Sequence, residues 1–138
     1  MTPDAITPEK TRQFLIVMWV AMVATLPLYY FLTVVLKPEQ ADPNSVLPLP
    51  LFGTALILAI LSLWAKSRFG AREGQKRSLA MVRAGYVIAL VLAETPAILG
   101  LVVYLTAAWP QYWAFFVISA AAYAVNFPRR DDFEPANF

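Results

Sequence analysis

The residue best placed to do chemistry is Glu94, which sits almost midway along the apolar run from Ala84 to Ala108. An ionised carboxylate at the centre of a membrane helix costs about 2.5–3.5 kcal/mol on insertion scales, so it needs a neutralising partner. No Lys, Arg or His lies at similar depth in any apolar segment, so no internal ion pair is open to it. That points to a reversible proton or sodium site. The alternative is a protonated Glu94 hydrogen-bonded across a helix interface, joining helices without exchanging an ion.

The neighbours of Glu94 sharpen both readings. Pro96 has no N–H and leaves the Leu92 carbonyl without its usual intrahelical donor. That carbonyl and the Thr95 hydroxyl, with the carboxylate, make a plausible set of oxygen ligands. Gly85, Ala89, Ala93 and Ala97 recur every four residues, with Gly100 a turn beyond. Such a small-residue stripe lets another helix approach closely. Glu94 flanks it, and is therefore expected at the rim of a packed interface.

The elements that must hold these residues follow from composition. Of 138 residues, 59% are hydrophobic and 14% charged, against about 25% charged in soluble domains. Nineteen of the twenty Lys, Arg, Asp and Glu residues lie in tails and connections; Glu94 is the twentieth. With no His and no Cys, imidazole or thiolate metal sites, Ser-His triads and thiol nucleophiles are excluded. A formal net charge of +2 gives no footprint for nucleic acid. The expectation is a membrane protein, with lipid as its surroundings, no enzyme activity and no cofactor beyond a proton or sodium ion at Glu94.

Four apolar segments, at about 14–36, 47–66, 80–108 and 110–127, approach the roughly 20 residues that a membrane helix needs. They predict a single all-α membrane domain: a polytopic four-transmembrane-helix bundle, with polar tails at 1–12 and 129–138. The first run is too long for a signal-peptide core and is followed by Lys37-Pro38-Glu39 instead of a small-residue cleavage site. Lys37-Pro38 and Asp42-Pro43-Asn44 mark the first loop, and Trp109-Pro110 marks a very tight last connection.

Orientation follows from the middle connection. It carries Lys66, Arg68, Arg72, Lys76, Arg77 and Arg83 against a single Glu73, so the positive-inside rule places it, and both termini, in the cytoplasm. The expected location is a bacterial inner membrane.

Leu92-Ala93-Glu94, Ala97-Ile98 and Gly100-Leu101-Val102 resemble the ion-binding helix of the c subunit of rotary ATP synthases. The second and third segments, joined through Ala71-Arg72-Glu73-Gly74-Gln75, are similar to that family's hairpin with its polar cytoplasmic loop. The resemblance implies that Glu94 carries a proton or sodium ion and that Thr95 helps to ligate sodium. It also implies that Arg72 faces a catalytic head, and that copies assemble as a homo-oligomer or in a larger membrane complex. The other reading is a non-transporting accessory or scaffold subunit.

A weak internal repeat adds one pairing. Offsetting the first segment by 69 residues aligns Ala24 with Ala93, Pro27 with Pro96 and Leu36 with Leu105, with five of fourteen positions identical from Val23 to Leu36. Thr25 falls opposite Glu94, as a decayed or complementary polar site of two parallel repeats.

Overall fold

The computed structural model describes residues 7–39, 41–42, 44–69 and 78–134. Every regular element among them is helical: α1 (Pro8–Val23), α2 (Thr25–Val35), α3 (Pro48–Phe69), α4 (Leu79–Ala107), α5 (Trp113–Val125) and a 3-10 turn at Asp131–Phe133. Three helical stretches are long and apolar enough to cross a membrane: Pro8–Val35, Pro48–Phe69 and Leu79–Ala107. The chain thus has the build of an integral membrane protein.

Several boundaries differ from the expected ones. The first helix begins at Pro8, inside the stretch read as a polar tail, because the Thr7 side chain accepts a hydrogen bond from the Lys10 N–H at 3.3 Å, with Pro8 and Glu9 in the first turn. This is ordinary N-cap chemistry. The helix is then interrupted at the single residue Ala24, which keeps helical dihedrals and an N–H bond to the Val20 carbonyl. Pro27 cannot donate to the Val23 carbonyl, and the Thr25 hydroxyl turns back to the Met22 carbonyl at 2.5 Å. Pro96 interrupts nothing: α4 runs through it for 29 residues. Pro96 is buried among neighbouring helices and Pro27 is exposed, so packing supports one proline turn and not the other.

At 13 residues, α5 spans only about 20 Å, less than the roughly 30 Å of a hydrocarbon core. The expected start of the fourth segment, at 110–112, is a turn. Ala108 ends α4 in the left-handed region at φ 47°, its N–H bonded to the Tyr104 carbonyl; this places the Trp109-Pro110 corner immediately after the helix. The C-terminal tail is not loose at its start. Phe133, only 5% exposed, packs with Leu15, Val82 and Tyr86, so one aromatic side chain anchors what reads as a polar stretch.

Helix α4 is the hub, packing against α1, α2, α3 and α5. Leu15 meets Val82 and Tyr86 at one end, and Met18, Trp19 and Met22 meet Leu90 and Ala93 further along, so α1 runs parallel to α4. Helices α3 and α5 run antiparallel to it: Ala55 and Phe115 meet Val103 at the far end, and Tyr123 meets Leu90 nearer the start. The start of α1 and the C-terminal turn therefore share one end of the bundle.

The small-residue stripe is used within this chain. A Cβ added at Gly85 would stand 2.5 Å from the Phe69 Cβ of α3, and one at Gly100 would stand 2.6 Å from the Phe115 Cβ of α5 and 3.2 Å from the Tyr112 carbonyl. Ala89, Ala93 and Ala97 are fully buried between them. Gly53 has nothing within 4 Å. Gly85→Ala and Gly100→Ala are each expected to destabilise the bundle by about 1–3 kcal/mol through overpacking. Gly53→Ala should stabilise it slightly by raising helix propensity. Thermal unfolding of the three variants in detergent checks this ordering; equal losses at all three positions would refute it.

Candidate functional site

Glu94 projects from the middle of α4 and is partly buried. The Tyr29 hydroxyl donates to its Oε1 at 2.7 Å. The reach is a consequence of helix geometry. Tyr29 lies one turn beyond Thr25, and helical side chains lean toward the N-terminus. A tyrosine one turn further along a parallel helix thus brings its hydroxyl back to the level of Glu94.

Tyr123 of α5 closes the site from the other side. Its ring is buried, and its hydroxyl is buried without a hydrogen-bond partner. It lies within electrostatic reach of both Glu94 and Tyr29. The Tyr123 carbonyl accepts from Trp19 Nε1 at 2.9 Å, which ties α5 to α1. Immediately before Glu94, the Ala93 carbonyl accepts from the Ser119 hydroxyl, pinning α5 to α4 beside the Pro96 turn. Among the described residues, no cation pairs with Glu94.

The other expected site residues take varied places. Thr95 turns away from the carboxylate, its hydroxyl donating to the Val91 carbonyl at 3.0 Å. Leu92 is partly buried, and Pro96 offers its carbonyl no N–H. Thr25 is spent on the Met22 carbonyl, although its side chain also lies near the hydroxyls of Tyr29 and Tyr123. Pro27 is exposed at the α2 start and makes no part of the site. Arg72, Lys76 and Arg77 lie outside the described residues.

Sequence reasoning missed the two tyrosines and a second polar pair. Asn126, fully buried one turn beyond Tyr123, donates through Nδ2 to Ser62 Oγ of α3 at 3.1 Å, and its Oδ1 has no partner. The available signal was spacing: Ser119, Tyr123 and Asn126 fall at helical intervals on one face of an otherwise apolar segment. Tyr29 was visible one turn past the residue aligned with Glu94.

No protein-family model, curated protein or solved structure matches this chain. Chemically, the arrangement is a carboxylate with one committed phenol donor and a second phenol nearby, inside an apolar bundle. Such a group can hold a proton, share it through the hydroxyls, or bind a helix to its neighbour.

Proposed function

We propose that the chain is a small membrane protein that binds and releases a proton at Glu94. In this reading it is a four-helix membrane bundle with both termini on the cytoplasmic side of a bacterial inner membrane. The observation that carries the proposal is the Glu94–Tyr29 hydrogen bond beside the buried Tyr123 hydroxyl, with no cation paired to the carboxylate among the described residues. A carboxylate held by hydroxyls alone is neutral only when protonated, so its charge follows proton supply. Thr95, turned to its own helix, favours the proton over sodium. The likeness to rotary ATP synthase c subunits supports the role of the carboxylate. Because α3 and α5 already cover the small-residue stripe, a homo-oligomer or larger complex would form through outer faces.

The same hydrogen bond favours a second reading, in which Glu94 is a permanently protonated link between α2 and α4 of an accessory or scaffold subunit. Labelling with a hydrophobic carbodiimide, which reacts with protonated buried carboxyls, separates the two. The proton reading expects modification at Glu94 that falls as pH rises and is indifferent to sodium. Protection by sodium would replace the proton with a cation. Labelling independent of pH supports the scaffold, and no labelling at any pH removes proton exchange at this residue.

A further inference from the structure

A groove of about 450 Å³ opens between α1 and α4, near the end that carries the basic connection, well before the level of Glu94. One wall is a double row of α4 side chains four residues apart, including Leu79, Arg83, Val87, Ala84 and Ile88; Thr11 of α1 contributes the other. From Leu79 to Ile88 the row extends about 13 Å along the helix, and beyond Arg83 it is wholly apolar.

The groove has one charged side chain, Arg83. The Arg83 guanidinium stands 4.3 Å from the centre of the Phe14 ring. This stacking fixes its plane and leaves its N–H edges available for bidentate contact with an oxyanion. Among the described residues no carboxylate pairs with it. Thr11 is 3% exposed, and its hydroxyl is buried without a hydrogen-bond partner although its backbone N–H is bonded to the Thr7 carbonyl. Thr11 therefore closes the groove on the α1 side, and the exposed Arg83 is the group that can meet an anion from outside the chain.

We propose that this groove holds one anionic phospholipid, its phosphate on Arg83 and an acyl chain along Ala84, Val87 and Ile88. A basic residue near the cytoplasmic face, followed inward by an apolar trough, matches the order of headgroup and hydrocarbon in a lipid. A free phosphate would use the cation and leave the trough empty. The proposal is independent of what Glu94 does.

The test is native mass spectrometry of the detergent-solubilised full chain, offered phosphatidylglycerol and phosphatidylcholine with identical acyl chains. The parent is expected to retain one phosphatidylglycerol with a preference of roughly five- to tenfold, the effect of one basic residue at an anionic surface. Arg83→Gln should abolish the preference. Ala84→Trp, which fills the trough, should release both lipids, and inorganic phosphate should not displace the bound one. Equal retention of the two lipids by the parent overturns the proposal without any variant. So does a preference that survives Arg83→Gln, or displacement by phosphate alone.

Discussion

Glu94→Gln is expected to abolish carbodiimide labelling completely while changing bundle stability by less than about 1 kcal/mol, because the amide oxygen still accepts from Tyr29. The side chain keeps its length and volume, and Tyr29 keeps an oxygen at the place now 2.7 Å from its hydroxyl. Glu94→Leu is different. It leaves Tyr29 without its acceptor, beside a Tyr123 hydroxyl that already has none, at a cost of about 1–3 kcal/mol for an unsatisfied donor. Leucine is also the easier residue to insert into a membrane, so the single variant mixes two opposing effects. A double-mutant cycle with Tyr29→Phe isolates the hydrogen bond. Its coupling is expected at about 0.6–1.7 kcal/mol, the range of interhelical bonds measured in membranes. Zero coupling in detergent unfolding would mean that Tyr29 does not hold Glu94. If Glu94→Gln unfolds as readily as Glu94→Leu, the acceptor oxygen is not what the bundle needs from this position.

Tyr29 also shows where sequence reading stops. The long apolar runs and the isolation of Glu94 are visible in residue order, because hydropathy over 20 residues and the cost of a buried charge are local properties. The first segment lies parallel to α4, and the 69-residue register sets Thr25 opposite Glu94. It points to the wrong hydroxyl, since a threonine in a helix finds its own carbonyl three residues back, whereas a tyrosine is long enough to cross to the next helix. Likewise Pro27 and Pro96 look equivalent in sequence, yet Pro27 is exposed just after the interruption at Ala24 and Pro96 is buried inside an unbroken α4. The small-residue stripe is plain in sequence; that its partners Phe69 and Phe115 belong to the same chain is a property of the tertiary arrangement. Phe133 is hidden for the same reason, one aromatic ring in a charged tail, with its burial supplied by Leu15, Val82 and Tyr86.

The largest loss of stability is expected from Lys66→Met, at the end where that tail docks. Lys66 lies in the last turn of α3, but its ammonium donates to the Val125 carbonyl at 3.1 Å and the Phe127 carbonyl at 3.3 Å, capping α5 from another helix. Helix α5 has no basic residue in its own last turn, and this cation from α3 meets its C-terminal carbonyls instead. The same Nζ stands 3.9 Å from Asp132 Oδ2 and 5.1 Å from the centre of the Tyr86 ring, while the Tyr86 hydroxyl donates to Asp132. Methionine keeps the apolar stem and removes the charge. Two hydrogen bonds from a charged donor, on a side chain only 18% exposed, put the loss at about 2–4 kcal/mol. The ion pair itself adds less, because 3.9 Å is too long for a direct hydrogen bond, which leaves about 0–1 kcal/mol. Asp132→Asn is therefore expected to cost less than about 1 kcal/mol, and Lys66→Met several times more. Trypsin cleavage after Arg129 and Arg130, measured beside thermal unfolding in detergent, reads the docking of the tail directly. Lys66→Met should speed it severalfold and Asp132→Asn barely. The reverse order would place the strength of this end in the ion pair and not in the capped carbonyls of α5.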